Sequence, residues 1–468
     1  MANTFSIAQS AITAAQTGIS TTGQNIANAG TKGYSRQTVV QGTATPVALG
    51  FGYLGQGTQV EDIKRAYDEF LGVQQLSAQT TSSQFQTQFD QMQALDNMLA
   101  DPSVGLSPAM QNFFNGIQDL SAAPSDEARR QAFFANAEAL VNNFHVINDQ
   151  LESINQGINQ QLSVGVENIN DLAKQLGSLN QSIASALSSG TQQPNDLLDK
   201  RDQALLELSK LVKVNVFKQA NNYDIYIGNG QPLVVGSSVN SFKLLTDPSE
   251  TMNPNEFDVA YNLDGNTSKL TANNLAGGQI GGLLEFRSQV LDSVRSQVDA
   301  LASGIGLQIN TVNHAGLKPD GNFGGDLFTI DSTALHSAAS ISLTTSDIAA
   351  LAAGTGVSGT PPAAGDNSNL LKMVNLQTQS VMNNNTASFQ QAYSKIVSQV
   401  GSKTREMQLT SDAAKSVLQQ SNSAIESISG VNLDDEAANL IRYQQIYQAA
   451  GKLIQITKDM FDSLLQMQ

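Results

Sequence analysis

The stretch LVNNFHVINDQLESINQGINQQLSVGVENINDLAKQLGSLNQSI, residues 140–183, decides the fold. Its apolar residues Leu140, Phe144, Ile147, Leu151, Ile154, Ile158, Leu162, Val166, Ile169, Leu172, Leu176, Leu179 and Ile183 make twelve steps over 43 residues. That is about 3.6 residues per step, the period of a straight α-helix with one face buried. Unbroken, it is roughly 66 Å long at 1.5 Å per residue, which implies a rod. Upstream, Ser125-Asp126-Glu127 supplies a helix start with acidic residues near the positive end of the dipole.

Before the rod, helical signals run from near Glu61 to about Ala100, with Phe85, Phe89, Met92, Leu95 and Leu99 on one side, and Asp101-Pro102 closes them. The segment from residue 38 to about Gly57, rich in Gly, Thr and Val, reads as irregular or short extended structure. After the rod the period changes to two at Val212, Val214 and Val216, then Ile225 and Ile227, then Leu233 and Val235. Asn221-Asn222 and Gly228-Asn229-Gly230 separate these runs, so a small hairpin-rich region extends to about Leu270. A third long helix is expected over Leu283–Asn313. Weak strands at 327–330 and 341–343 and the loose segment GTGVSGTPPAAGDNSN precede a broken helix from Leu370 to Ile428. The predicted fold is mainly α with a smaller β-rich part: an elongated out-and-back helical rod with paired terminal helices and a β-containing outer domain. The expected division is a terminal coiled-coil domain (1–40 with 431–468), a helical rod domain (41–210 with 280–430) and a β-rich outer region (211–279 with 315–369).

The two ends match each other. Phe5, Ala8, Ile12, Ala15, Ile19, Thr22 and Ile26 form one stripe, and Leu440, Tyr443, Tyr447, Ala450, Ile454, Thr457, Phe461 and Leu464 form the other. Steps alternate three and four, averaging 3.5 from Phe5 to Ile26, the repeat of a left-handed coiled coil. The first stripe is rich in alanine and its helix contains Gly18 and Gly23, so its isolated helicity is marginal. Both ends are therefore expected to be poorly ordered alone and to fold on assembly. Before the second stripe, SGVNLDDEAANL (429–440) offers Asn432 as a cap with Asp435 at the third helical position, while Asp434 and Glu436 face the dipole.

Composition narrows the function classes. Charged residues are only 14%, below the usual quarter. A surface of amides and hydroxyls suits lateral packing of subunits, because few ions must be desolvated. The net charge of −16 argues against free nucleic acid as a partner. There is no cysteine, hence no disulfide and no thiolate chemistry. No apolar run reaches the ~18 residues of a membrane span, and the first residues lack the pattern of a cleaved signal peptide. His145, His314 and His336 share no spacing with acidic partners; His145 is expected on the polar side of the rod as an ordinary surface residue. LKPDGNFGGD (317–326) suggests a calcium loop through Asp320, Asn322 and Asp326, but it lacks the regular acidic series and is read as a Gly turn. No phosphate loop, nucleophile elbow or Glu–His metal motif is present. The expectation is a protein that is not an enzyme, with no cofactor and no metal.

The terminal blocks resemble a family. SAITAAQTGISTTGQNIANAGTKGYSRQ (10–37), with Asn25, Ile26, Ala27 and Asn28 followed by Gly33 and Tyr34, resembles the N-terminal signature of flagellar rod, hook and hook-associated axial proteins. The segment 429–465 is similar to the C-terminal block of the hook-associated protein 1 (FlgK) family. NDLLDKRDQALLELSKLV with YIGNGQPLVVG, and GGLLEFRSQVLDSVRSQVDALASGIGLQINTVNHAG, add internal support in the same order. The resemblance implies a structural subunit joining hook to filament, exported by the flagellar type III apparatus: transiently cytoplasmic, then extracellular at the hook–filament junction. The implied partners are further copies in a helical ring, hook protein, the next hook-associated junction protein, and a cytoplasmic export chaperone on the C-terminal helix. The expected assembly interface is Phe5, Ile12, Ile19, Ile26, Leu440, Tyr443, Tyr447, Ile454, Phe461 and Leu464. Larger members insert a β domain at the position of residues 340–370, where this chain has only a short Gly/Pro/Ala stretch. The alternatives are flagellin or another hook-associated subunit, or a secreted wall-acting enzyme.

Overall fold

The 63-residue helix centred on the quoted stretch is the backbone of the molecule, and everything else is placed by what it buries against that helix. The computed structural model describes residues 2–50, 52–101, 105–190, 192–219, 222–246, 256–263, 266–270, 274–331 and 335–466. Helix α1 (Ala2–Ala27) is followed by strands β1 (Gln37–Thr43), β2 (Val47–Leu49), β3 (Gly52–Leu54) and β4 (Thr58–Arg65). β1 pairs antiparallel with β4, Gln37 opposite Arg65 and Thr43 opposite Thr58, and β2 pairs with β3 at the tip. The helix expected from Glu61 therefore begins later, because Val60 and Ile63 are drawn into a ladder with the Val39-Val40 strand. Helix α2 (Glu69–Ala100) starts instead at Asp68, whose carboxylate accepts from the amide of Leu71 at 3.1 Å. Asp101 follows it; Pro102, invoked as its stop, lies outside the described residues.

Helix α3 (Leu106–Ala122) fills a segment for which the sequence reading offered no element, although Leu106, Met110, Phe113, Ile117 and Leu120 repeat at helical spacing and are buried. Helix α4 (Glu127–Ser189) is capped by Asp126 and runs unbroken, roughly 95 Å at 1.5 Å per residue. α5 (Asn195–Leu211) folds back on it. Strands β5 (Val214–Gln219), β6 (Asn222–Ile227), β7 (Gln231–Val235) and β8 (Ser238–Val239) form one antiparallel sheet in that order. β9 (Ser241–Thr246), β10 (Phe257–Leu263) and β11 (Asn266–Lys269) form a second, with β10 central. α6 (Gly278–Phe286) continues through a π-helical turn at Arg287–Leu291 into α7 (Asp292–His314). The short strands β12 (Phe328–Thr329) and β13 (Ser342–Leu343) pair, with α8 (Ser337–Ser340) between them in sequence. α9 (Ser368–Asn375) and α10 (Phe389–Ser429) are separated by a turn whose Asn383, Asn384 and Asn385 all have positive φ. α11 (Leu433–Leu465) ends the chain's secondary structure.

α2 and α10 are antiparallel: the Gln75 amide donates to Asn422 near one end, and the Tyr393 hydroxyl donates to the Leu99 carbonyl near the other. α6 docks on α2 through Glu285, which accepts from Gln84 and Gln88; α7 lies against α4, where Arg295 meets Glu152 at 3.0 Å. One contiguous apolar core runs the length of this bundle and into the sheets, closing at one end on Phe113, Phe114, Phe133, Phe328 and Phe389. The architecture is mainly α with long paired terminal helices, as expected.

The strands do not form a single tip. The β5–β8 and β9–β11 sheets lie along the C-terminal half of α4, held by asparagines. Asn159 accepts from the Phe257 amide, Asn170 exchanges two bonds with Phe242, and Asn180 donates to the Tyr223 and Gly236 carbonyls. β12 and β13 lie near its other end, where Arg130 donates to the Ile348 and Leu351 carbonyls. His145, expected to be an ordinary surface residue, is half-buried and bonds the Ile341 carbonyl at 2.8 Å. The other two histidines do have acidic partners across the fold: His314 with Asp326 at 2.9 Å and His336 with Asp299 at 3.0 Å. In the 317–326 loop, Asp320 accepts from the backbone and side chain of Asn322 and pairs with Lys318, while Gly321 has φ +82°.

Candidate assembly interface

α1 and α11 pack side by side within one chain and stand outside the contiguous core: among the described residues it includes no member of either helix. Their seam is made of small residues. Ala8, Ala15, Gly18, Thr22 and Asn25 are buried on α1, facing Glu436, Ala450 and Thr457 on α11. The approach is close enough that a Cβ on Gly18 would stand 2.5 Å from the Tyr443 ring. The large apolar members of the predicted stripe are not at its centre. Ile12, Ile19, Leu440 and Ile454 are half-buried and Tyr443, also half-buried, lays its ring against Gly18, while Phe5 (48%), Ile26 (37%), Tyr447 (42%) and Phe461 (53%) are exposed. The Leu464 side chain lies outside the described residues. The physical reason is steric: two backbones approach nearest where side chains are Ala, Gly and Thr, so the seam keeps positions 8, 15 and 22 and turns toward 18 and 25 instead of 19 and 26. Ile441, Ile456 and Met460 are also exposed, so the pair presents apolar surface that a single chain leaves uncovered.

At the top of the seam the family-like motif forms a polar node. Asn25 is 1% exposed. Its amide donates to the Gln37 carbonyl at 2.8 Å and to Glu436 Oε2 at 3.1 Å. Its carbonyl accepts from the Tyr34 hydroxyl at 2.8 Å and the Gln37 amide at 2.9 Å. Glu436, also 1% exposed, takes Arg36 Nε on its other oxygen at 2.7 Å. Burial, reinforced by Asp196, Asp199 and Glu436, pushes the Tyr34 phenol up to about 12, so it remains a donor to Asn25. Ile26 and Ala27 face outward; Asn28 is half-buried and accepts from Thr31. Gly33 has φ +80°, and a Cβ there would meet Gln203 Oε1 at 2.7 Å. The left-handed backbone is what favours glycine, since Gln203 Oε1 is the end of a flexible side chain and can move aside.

Asn432 precedes α11, its side-chain carbonyl oxygen accepting from the Asp434 amide at 3.0 Å. Asp435 is exposed, and the residue that turns inward is Glu436. Sequence reasoning missed its role, yet the signal was there: Glu436, Tyr443, Ala450 and Thr457 lie seven apart, so the heptad extends one step upstream of where the apolar stripe begins.

The node is tied to the rod by the segment NDLLDKRD (195–202). Asn195 donates to the Ile63 carbonyl, Asp196 accepts from the Gln37 side chain and Asp199 accepts from the Ser35 amide. Arg65 Nη1 reaches Asp199 at 2.9 Å and Asp202 at 2.6 Å with all three side chains largely buried. Burial opposes the Arg65 charge, but Asp202 and Asp199 outweigh it, and its pKa lies above the ordinary value. Arg201, next to them, stacks on Tyr223 with its guanidinium carbon 3.4 Å from the ring centroid. These polar contacts position helices; among the described residues no group of three or more His, Cys, Asp or Glu is disposed to hold a metal.

Known proteins match along the chain. The family described as flagellar hook-associated protein FlgK helical domain matches residues 92–328, and the flagellar basal body rod FlgEFG protein C-terminal family matches residues 422–467. Flagellar hook-associated protein 1 of Escherichia coli K12 is 31% identical over 550 residues, covering all of both chains. Its counterpart in Bacillus subtilis 168 is 25% identical, covering 98% of this chain and 96% of that one. The structure of the flagellar hook junction protein FlgK from Burkholderia pseudomallei, 22% identical, shares the fold with a TM-score of 0.70, over 76% of this chain and 100% of that one. An alignment of 550 residues exceeds this chain's 468, so the E. coli relative carries residues that this chain lacks.

Proposed function

The chain belongs to the flagellar hook-associated protein 1 (FlgK) family, and from that premise we propose that it is a structural subunit joining hook to filament, assembled through its paired terminal helices. Membership makes it a flagellar structural component that associates with hook and axial proteins. The observation that carries the assembly reading is the set of apolar side chains on the α1–α11 pair, Phe5, Ile26, Tyr447 and Phe461 among them, left exposed in a single chain. Burial of such a stripe against further copies in a helical, heterologous array would stabilise the array at roughly 25 cal/mol per Å² of apolar surface removed from water. In this reading the terminal pair (1–40, 431–468) is the packing unit, with the rod and β-rich parts outside it. Hook protein lies on one side of the ring and the next junction protein on the other. Before export an exposed apolar α11 needs a cover in the cytoplasm, which a chaperone on Tyr443, Tyr447, Ile454 and Phe461 supplies. The mature subunit acts outside the cell, at the junction, without catalysis.

The test is a Tyr447→Asp, Phe461→Asp double variant. Both side chains point away from the seam, so the purified subunit keeps its helix content and melting temperature while filaments no longer attach to hooks. Normal filament attachment in cells carrying only the variant would overturn the proposal.

A further inference from the structure

A cavity of about 410 Å³ opens between the C-terminal part of α4, the start of α5 and strand β5, lined by Ile183, Leu198, Arg201, Lys64, Lys218 and Glu69 among others. Its floor holds a cation with no counter-charge of its own. Arg201 is 3% exposed, and its Nε is enclosed without a hydrogen-bond partner. Among the described residues the guanidinium has neither a hydrogen bond nor an ion pair; its contact is the face of Tyr223. Asp202 acts on it through space, but that carboxylate, like Asp199, is bonded to Arg65. Among the described residues Lys64 and Lys218 on the rim have no ion-pair partner, and Glu69 is the one carboxylate in the lining.

Two independent facts thus meet. A buried guanidinium left uncompensated is destabilising, since the cation–π contact replaces only part of its lost hydration. Beside it is open volume of a size that holds small ligands, with cations on the rim of a chain that is otherwise strongly acidic. The donor fork of an arginine matches a carboxylate in two parallel bonds, and Ile183, Leu187, Pro194 and Leu198 give the lining an apolar side, beside Tyr67, Tyr223, Gln193 and the paired Arg65. We propose that this cavity is a binding site for a carboxylate carried on a short apolar stem, held by Arg201 and drawn in by Lys64 and Lys218. The carboxylate belongs either to an acidic side chain of a second copy or to a small molecule in the medium.

The probe is butyrate, with butyramide as the uncharged isostere, added at constant ionic strength to the full chain while the melting temperature is recorded. Butyrate raises the melting temperature saturably and butyramide does not; Arg201→Gln abolishes the rise. Lys218→Gln, an exposed change that leaves the core intact, weakens the apparent affinity about 1.5- to fivefold, which keeps the test valid if Arg201→Gln folds poorly. Equal responses to butyrate and butyramide, or an undiminished response in both variants, would overturn the site. Sedimentation of concentrated protein with and without saturating butyrate then separates the sources. Loss of copy–copy association identifies the second copy, and unchanged association identifies the free carboxylate. Neither result depends on attachment at the hook.

Discussion

Asn25 makes all four hydrogen bonds open to a side-chain amide, two as donor and two as acceptor, and no other residue type reproduces them. Asn25→Asp removes both donors and sets a second carboxylate against the buried Glu436. The expected cost to the α1–α11 pair is on the order of 3 kcal/mol. Amide hydrogen exchange checks it: protection falls across both terminal helices and is unchanged in α4. Tyr34, bonded to the same amide, gives a pH dependence whose sign follows from its raised pKa. The folded state holds the phenolic proton up to about 12, whereas the unfolded phenol releases it near ~10. Its contribution is therefore complete below about pH 10 and is lost as pH rises to about 12. Tyr34→Phe removes that window, so alkaline loss of terminal-helix protection, measured against the wild type, becomes shallower between these limits.

The pairing of α1 with α11 was legible in the sequence, but its register was not. A stripe ranked by hydrophobicity selects Ile12, Ile19 and Ile26, whereas close approach selects Gly18 and Asn25. The contrast between two glycines tests this. Gly18→Val drives a branched side chain into the Tyr443 ring and should cost about 1–3 kcal/mol of pairing. Gly23→Ala, with nothing within 4 Å of the new Cβ, should stabilise α1 by about 0.5–1 kcal/mol. Chemical denaturation followed by helix-specific exchange separates the two, and a Gly18→Val variant with unaltered α11 protection would refute the register. Elsewhere the long α4 and α7 were plain from their period, since burial of one face needs no tertiary information. β4 was missed because its ladder with β1 is made 15 to 28 residues away in sequence. The docking of the sheets by Asn159, Asn170 and Asn180 was illegible for another reason. These amides read as polar surface, and only the strands they meet show them to be buried partners of backbone groups.

Two parts of the molecule differ in what holds them together. The rod and the β5–β11 sheets share a continuous apolar core, whereas the terminal pair, with the β1–β4 hairpin packed on α1, is joined to them largely by polar contacts. These are Gln37 with Asp196, Ser35 with Asp199, Asn195 with the Ile63 carbonyl, and Arg65 with Asp199 and Asp202. The block NDLLDKRD was recognisable as a family signature, but its role as the clasp of this joint is visible only when the hairpin brings Arg65 across to it. Buried charge sets the magnitude. Removing Arg65 leaves two carboxylates facing each other in a partly dry site, which costs about 3–5 kcal/mol, and salt screens such enclosed pairs little. Arg65→Met should therefore release the terminal pair from the rod without unfolding either. Limited proteolysis would cut first within residues 28–34, and small-angle scattering would report a larger maximum dimension while the thermal transition of the rod stays in place. Adding Asp199→Asn and Asp202→Asn to Arg65→Met removes the repulsion and should restore part of the resistance to cleavage, because a neutral joint no longer holds an unpaired charge. If Arg65→Met is cut no faster than the wild type, the clasp lies elsewhere along the 34–37 segment; if the rod melts with it, the two parts are one cooperative unit and the polar joint is not a mechanical boundary.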